Sequence, residues 1–87
     1  MKWTKQQGIT FALVGKRFDG FDAMSKPVTD ALARFADQPL VIVFPEAALG
    51  EQMVGRAETK EWMLKTHRLL QAHPNAFVFF SVFEKLR

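Results

Sequence analysis

Glu46 is the residue of this 87-residue chain whose position best suits chemistry. It follows the apolar run of residues 40–44 through Pro45, so a strand formed by that run holds the glutamate at a rigid end. A carboxylate beside buried aromatic surface acquires a raised pKa and can work as a general base. The alternative role is a solvated loop glutamate, or one that caps a neighbouring helix.

Other polar candidates carry weaker patterns. Lys16 and Arg17 follow Gly15 and could hold a phosphate or carboxylate, but the glycine spacing of a dinucleotide or P-loop site is missing, which favours a charged turn. Neither His67 nor His73 has a second metal ligand four residues away, which favours ordinary surface histidines. We therefore expect neither a metal nor a cofactor.

Composition excludes several classes of protein. The chain has no cysteine, so it has no disulfide, no thiolate zinc site and no cysteine nucleophile. The net charge of +3 is spread evenly, with six Lys/Arg against four Asp in residues 1–44 and six against five Glu in residues 45–87. This mixture is typical of a solvated surface and not of a nucleic-acid face. Apolar runs are too short to span a membrane or serve as a signal peptide, so we expect a cytoplasmic protein.

Two apolar patterns alternate along the chain. Compact apolar runs at residues 9–14, 40–44 and 77–83 predict buried strands. Helical spacing between them predicts one helix that starts near Ser25 and a second that opens at Thr59. The second pattern has Met63 on its apolar stripe, beside Trp62. The order predicts a β-α-β-α-β unit with a three-stranded parallel sheet, in one α/β domain of residues 1–87.

Two helices are too few to cover both faces of such a sheet. If the three strands lie in sequence order, right-handed crossovers place both helices on one face and leave the other bare. If the first strand lies in the middle, each face is covered thinly. We therefore expect the chain to form a homo-oligomer or to be part of a larger domain. Trp3 stands in a polar arm and is either a clip onto the sheet or part of an interface.

Residues 40–46, which end in Phe44-Pro45-Glu46, resemble a segment of the carbon-nitrogen hydrolase (nitrilase) superfamily. In that family a hydrophobic strand ends in Phe-Pro-Glu, and the glutamate is the general base. The elements on both sides, as far as the Glu-Lys pair at residues 84–85, follow the order of the family's N-terminal third. The resemblance covers nearly the whole chain and implies part of a nitrilase-like α/β sandwich, with Glu46 at the general-base position.

Only the glutamate of the family's Glu-Lys-Cys site maps onto this sequence. The lysine and the cysteine nucleophile lie further along than Arg87, and the Gly-Tyr that usually follows the glutamate is replaced by Gly50 and Glu51. The resemblance thus implies the N-terminal part of a hydrolase of small-molecule amides or nitriles, inactive as this chain alone. The alternative is a small non-catalytic α/β interaction module that self-associates through an uncovered sheet face.

Overall fold

The computed structural model describes residues 2–15, 18, 20–35, 37–45, 53–81 and 83–84. In chain order the elements are β1 (Lys2–Gln6), β2 (Ile9–Leu13), α1 (Phe21–Arg34), β3 (Leu40–Val43), β4 (Met53–Val54), α2 (Arg56–Leu70), β5 (Ala76–Phe79) and β6 (Phe83–Glu84).

The main sheet has four strands in the order β1-β2-β3-β5. Strands β2, β3 and β5 are parallel, as their unbroken apolar runs predict, but β1 pairs with β2 in the antiparallel direction. The sheet is therefore mixed, and the prediction of a three-stranded parallel sheet is not confirmed. What the structure shows is a small α/β fold in which a hairpin strand extends the sheet.

That hairpin depends on a tight turn. Gln6 pairs with Ile9, so Gln7 and Gly8 alone make the connection, and both have positive φ, 52° and 82°. Two positive φ values define a type I′ turn, whose twist matches the twist of the flanking strands. The polar character of residues 2–6 conceals this strand, because β1 lies at the sheet edge and all five of its residues are exposed.

Both helices cover the same face of the sheet. Side chains of β2 and β3 alternate in burial, and Ala12 and Ile42 on the inner face are fully buried. They share one core cluster with Met24 and Val28 of α1 and with Trp62 of α2. The edge of the Trp62 ring meets Phe80 at a centroid distance of 5.6 Å. The strand order is the one for which right-handed crossovers place both helices on one face, and no helix of the described residues lies on the opposite face.

Trp3 is a clip. Its ring meets Phe35, just after the end of α1, at a centroid distance of 5.3 Å, and the Arg34 guanidinium lies 6.0 Å from the Trp3 ring. The side chain stays 48% exposed. The contact ties β1 to the helix-covered side of the sheet.

Helix α1 starts at Phe21, not near Ser25 as its cap-like sequence predicts. Pro27 consequently lies inside the helix, where its fixed φ fits but its missing N–H leaves one intrahelical bond unmade. The Ser25 hydroxyl donates to the Asp22 carbonyl at 2.6 Å instead of capping the helix. Helix α2 likewise starts before Thr59, at Arg56.

Two further predictions fail in detail. Met63 is 57% exposed, so the buried stripe of α2 is narrower than its spacing suggests and contains Trp62 and Thr66. The strand predicted over residues 77–83 ends at Phe79, and residues 83–84 pair with β4 in a separate two-stranded sheet. Neither α1 nor α2, the helices in the described part of the chain, has the length and apolarity needed to cross a bilayer.

We expect Gly8→Ala to destabilise the fold by about 1 kcal/mol. A Cβ at Gly8 meets nothing within 4 Å, so the cost comes from the positive φ and not from a clash. Urea unfolding followed by tryptophan fluorescence measures the effect. Gly15→Ala is the matched control, since its Cβ also meets nothing and its φ lies outside the positive range. Equal effects from the two substitutions would contradict the turn assignment.

Candidate functional site

The carboxyl ends of the parallel strands form one rigid edge. Hydrogen bonding continues one residue past the strands: the Val14 amide donates to the Val43 carbonyl, and the Phe44 amide donates to the Phe79 carbonyl, each at 2.9 Å. Phe44 is 5% exposed. Ligands of parallel α/β sheets bind beyond this edge, so it is the place to look for a site.

The segments that follow the three parallel strands meet at this edge. Phe18, which follows β2, packs edge-on against Phe44, which follows β3, with ring centroids 5.8 Å apart. The two-residue strands β4 and β6 pair in parallel and join the segment after β3 to the segment after β5. The convergence expected from a parallel sheet is therefore present in the described residues.

A cleft of about 900 Å³ opens between the end of β2 and the first turns of α1. Its apolar lining includes Leu13, Val14, Phe18 and Pro27. Its charged lining consists of Lys2, Asp22, Lys26 and Asp30. An apolar surface bordered by a few charges suits a small organic molecule with one or two polar groups.

Asp22 connects this cleft to α2. Its carboxylate accepts a hydrogen bond from Lys65 Nζ at 2.9 Å, and Glu61 Oε1 lies 3.4 Å from the same nitrogen. The hydrogen bond to Asp22 is the main reason why the pKa of Lys65 is raised above its ordinary 10.5, and the hydrogen bond to Glu61 adds to it. Both carboxylates are largely exposed, so the pair positions α2 beside the cleft more than it stabilises the fold.

The described residues of the cleft can bind but do not form a catalytic set. They provide amines, carboxylates and apolar contact, and the hydroxyls of Ser25 and Thr29 on the neighbouring helix α1 donate to backbone carbonyls. Covalent catalysis needs a nucleophile next to a base, and the described residues hold no such pair. What the arrangement offers is a surface that orients a small molecule at the carboxyl edge.

The principal sequence candidates lie outside the described residues. These are Glu46, Lys16 and Arg17. Their neighbours in the sequence are described: Gly15 lines the cleft, and Pro45 is half-buried after the end of β3.

Neither histidine lines the cleft. His67 is exposed in the last turn of α2. The His73 amide donates to the Leu70 carbonyl, and its own carbonyl accepts from the Ala76 amide, so His73 shapes the turn from α2 into β5. In the part of the chain that the structure describes, no group of three or more metal-ligating side chains comes together.

The sequence predicts that residues 15–22 reach the carboxyl edge of the sheet, but it does not single out Asp22 or Phe18 as parts of the site. Asp22 is 43 residues from Lys65, and no local pattern links them. The useful signal was positional: both residues follow β2, and the carboxyl ends of parallel strands collect such segments.

A scan against protein-family models finds no match to this chain, and searches of the curated proteins and of the solved structures find none either. The resemblance to carbon-nitrogen hydrolases therefore depends on residues 40–46 and on the order of the elements around them.

We expect Asp22→Asn to lower the pKa of Lys65 toward its ordinary value, because it replaces the charged acceptor that contributes most to the shift with a neutral amide. A folded pKa raised above the unfolded one gives stability that is present below about 10.5 and lost as the pH rises through the folded pKa. NMR titration of the Lys65 side chain measures the shift. Asp30→Asn is the control, since Asp30 lines the same cleft. An unchanged Lys65 titration in Asp22→Asn would rule out this contact.

Proposed function

We propose that this chain is the N-terminal part of a nitrilase-like carbon-nitrogen hydrolase of the cytoplasm, with Glu46 at the general-base position and no activity of its own. The observation that carries the proposal is the place of β3. It is the middle one of three parallel strands, and only Phe44 and Pro45 separate its end from Glu46 in the sequence. A central strand end is where an α/β sheet presents catalytic side chains.

The surroundings of the motif support a proton-transfer role. Phe44 is buried and its ring meets Phe18, so the residues that lead to Glu46 run through apolar surface. Apolar surroundings disfavour the charged form of a carboxyl group and bring its pKa closer to neutral, which suits a general base at physiological pH.

The chemistry implied by the resemblance needs two more groups. The glutamate takes the proton from a cysteine thiol, the thiolate attacks an amide or nitrile carbon, and a lysine stabilises the tetrahedral intermediate. This chain contains no cysteine, so it cannot form the covalent intermediate. The cleft beside β2 is of a size for a small amide or nitrile, and such a substrate would react only in a longer chain.

The first test locates Glu46 by NMR. We expect Glu46→Gln to change the chemical shifts of Val14, Phe18 and Phe80, which are distant in sequence but lie at the carboxyl edge. Glu58→Gln is the matched control: Glu58 is an exposed glutamate in the first turn of α2. Changes confined to residues adjacent to position 46 in the sequence would argue against a site at this edge.

The second test concerns the partner groups. We expect the coding sequence beyond codon 87 to continue and to encode a lysine and a cysteine. In that longer chain Glu46→Gln should lower kcat by about 10²- to 10⁴-fold, the usual contribution of a general base. A longer reading frame that encodes no cysteine would overturn the proposal. Hydrolysis of an amide or a nitrile by the 87-residue chain alone would overturn it as well.

A further inference from the structure

The face of the main sheet opposite the helices is apolar, and we call it the open face. Its apolar side chains come from three adjacent parallel strands: Ile9, Phe11 and Leu13 of β2, Val41 and Val43 of β3, and Phe77 and Phe79 of β5. The register aligns them in two rows across the sheet, Phe11-Val41-Phe77 and Leu13-Val43-Phe79.

The side chains contributed by β5 and by the two ends of β2 are exposed, whereas Phe11, Val41 and Val43 between them are partly exposed. Phe77 and Phe79 are each 59% exposed, and Leu13 is 43% exposed. On the inner face of the same strands, Ala12, Leu40 and Ile42 are at most 1% exposed. Large aromatic side chains left in water on a sheet face are costly, and a contiguous patch of them marks an interface.

The charge pattern identifies the kind of partner. Among the described residues, the open face adds only Lys2, Thr4 and Gln6 of β1 to the apolar rows, because these three pair with Leu13, Phe11 and Ile9. In the described part of the chain, Lys2 lies at the border of the face and no carboxylate lies on it. A surface with an uncharged centre and a polar border favours an apolar protein partner over nucleic acid.

We propose that the partner is a second copy of this chain, packed sheet to sheet across the open face. Strand β3 lies between the two other apolar strands, so a twofold axis beside β3 superimposes the apolar rows of one copy on those of the other. Two sheets packed in this way lie about 10 Å apart and fill the space between them with interdigitated side chains. The helices of both copies then lie outside.

The area of the open face is sufficient for a dimer. Taking about 200 Å² for an exposed aromatic side chain, Phe77 and Phe79 alone present roughly 240 Å². Ile9 and Leu13, at 36% and 43% exposure, add about 130 Å², and the partly exposed Phe11, Val41 and Val43 together with the exposed polar side chains of β1 bring the face to roughly 650 Å². Two copies would then bury about 1,300 Å², within the range of about 1,200 to 2,000 Å² for stable interfaces. This interface does not involve Glu46, but Leu13 and Lys2 belong both to the open face and to the lining of the cleft. The two proposals are tested separately, because this one is tested on the 87-residue chain and the loss of activity on a longer one.

Sedimentation equilibrium of the 87-residue chain between about 1 and 200 µM tests the proposal. We expect a dimer of twice the 9.9 kDa chain mass. Phe79→Lys and Leu13→Lys should each weaken dimerisation at least tenfold, because a lysine ammonium in the apolar centre loses its hydration. Leu13 lies on β2, away from the β5 edge, so its effect separates face packing from edge-to-edge strand pairing.

Leu64→Lys is the matched control, because Leu64 on α2 is 59% exposed, as Phe79 is. We expect it to leave the dimer intact, with circular dichroism confirming that all three variants are folded. A chain that stays monomeric at 200 µM would overturn the proposal. So would a dimer that resists both substitutions on the open face, or one that dissociates with Leu64→Lys.

Discussion

Both helices of the described residues pack on one face of the sheet, and this one-sided burial sets the positions of the core, the cleft and the exposed apolar rows. The parallel strands advance in one direction, β2 to β3 to β5, and right-handed crossovers then bring α1 and α2 to the same face. The core therefore forms between Ile42 and Trp62, both completely buried. On the other side of the described strands, Leu13, Phe77 and Phe79 are exposed in a single copy, and Val41 and Val43 are partly exposed.

The same arrangement determines where a ligand can approach. Because the strands run in parallel, the segments after them gather at one edge, where Phe18 meets Phe44 and β4 pairs with β6. The cleft beside α1 lies at this edge and carries the charges of Asp22 and Lys26. Binding surface and strand ends are thus close together, as in other open α/β sheets, while the open face is available for assembly.

A chain of 87 residues buries only about 60 to 65% of the surface that it exposes when unfolded, so this fold has little stability to spare. The contacts outside the core matter accordingly. The Trp3–Phe35 contact ties the hairpin to α1, and the largely exposed Lys65–Asp22 ion pair positions α2 beside α1. A second sheet packed on the open face would add the apolar burial that one copy lacks.

Apolar runs and helical spacing are local patterns, so they were enough to predict β2, β3 and β5 and the two helices between them. The composition was enough to show that this chain has no cysteine nucleophile. The sequence did not predict β1, because the exposed polar residues of this segment resemble a loop. The segment is a strand because it pairs with β2. Nor could the sequence show that Met63 is exposed or that Asp22 meets Lys65, since these depend on how α2 packs. The tertiary structure alone decided the strand order, and with it which apolar residues are buried and which form the open face.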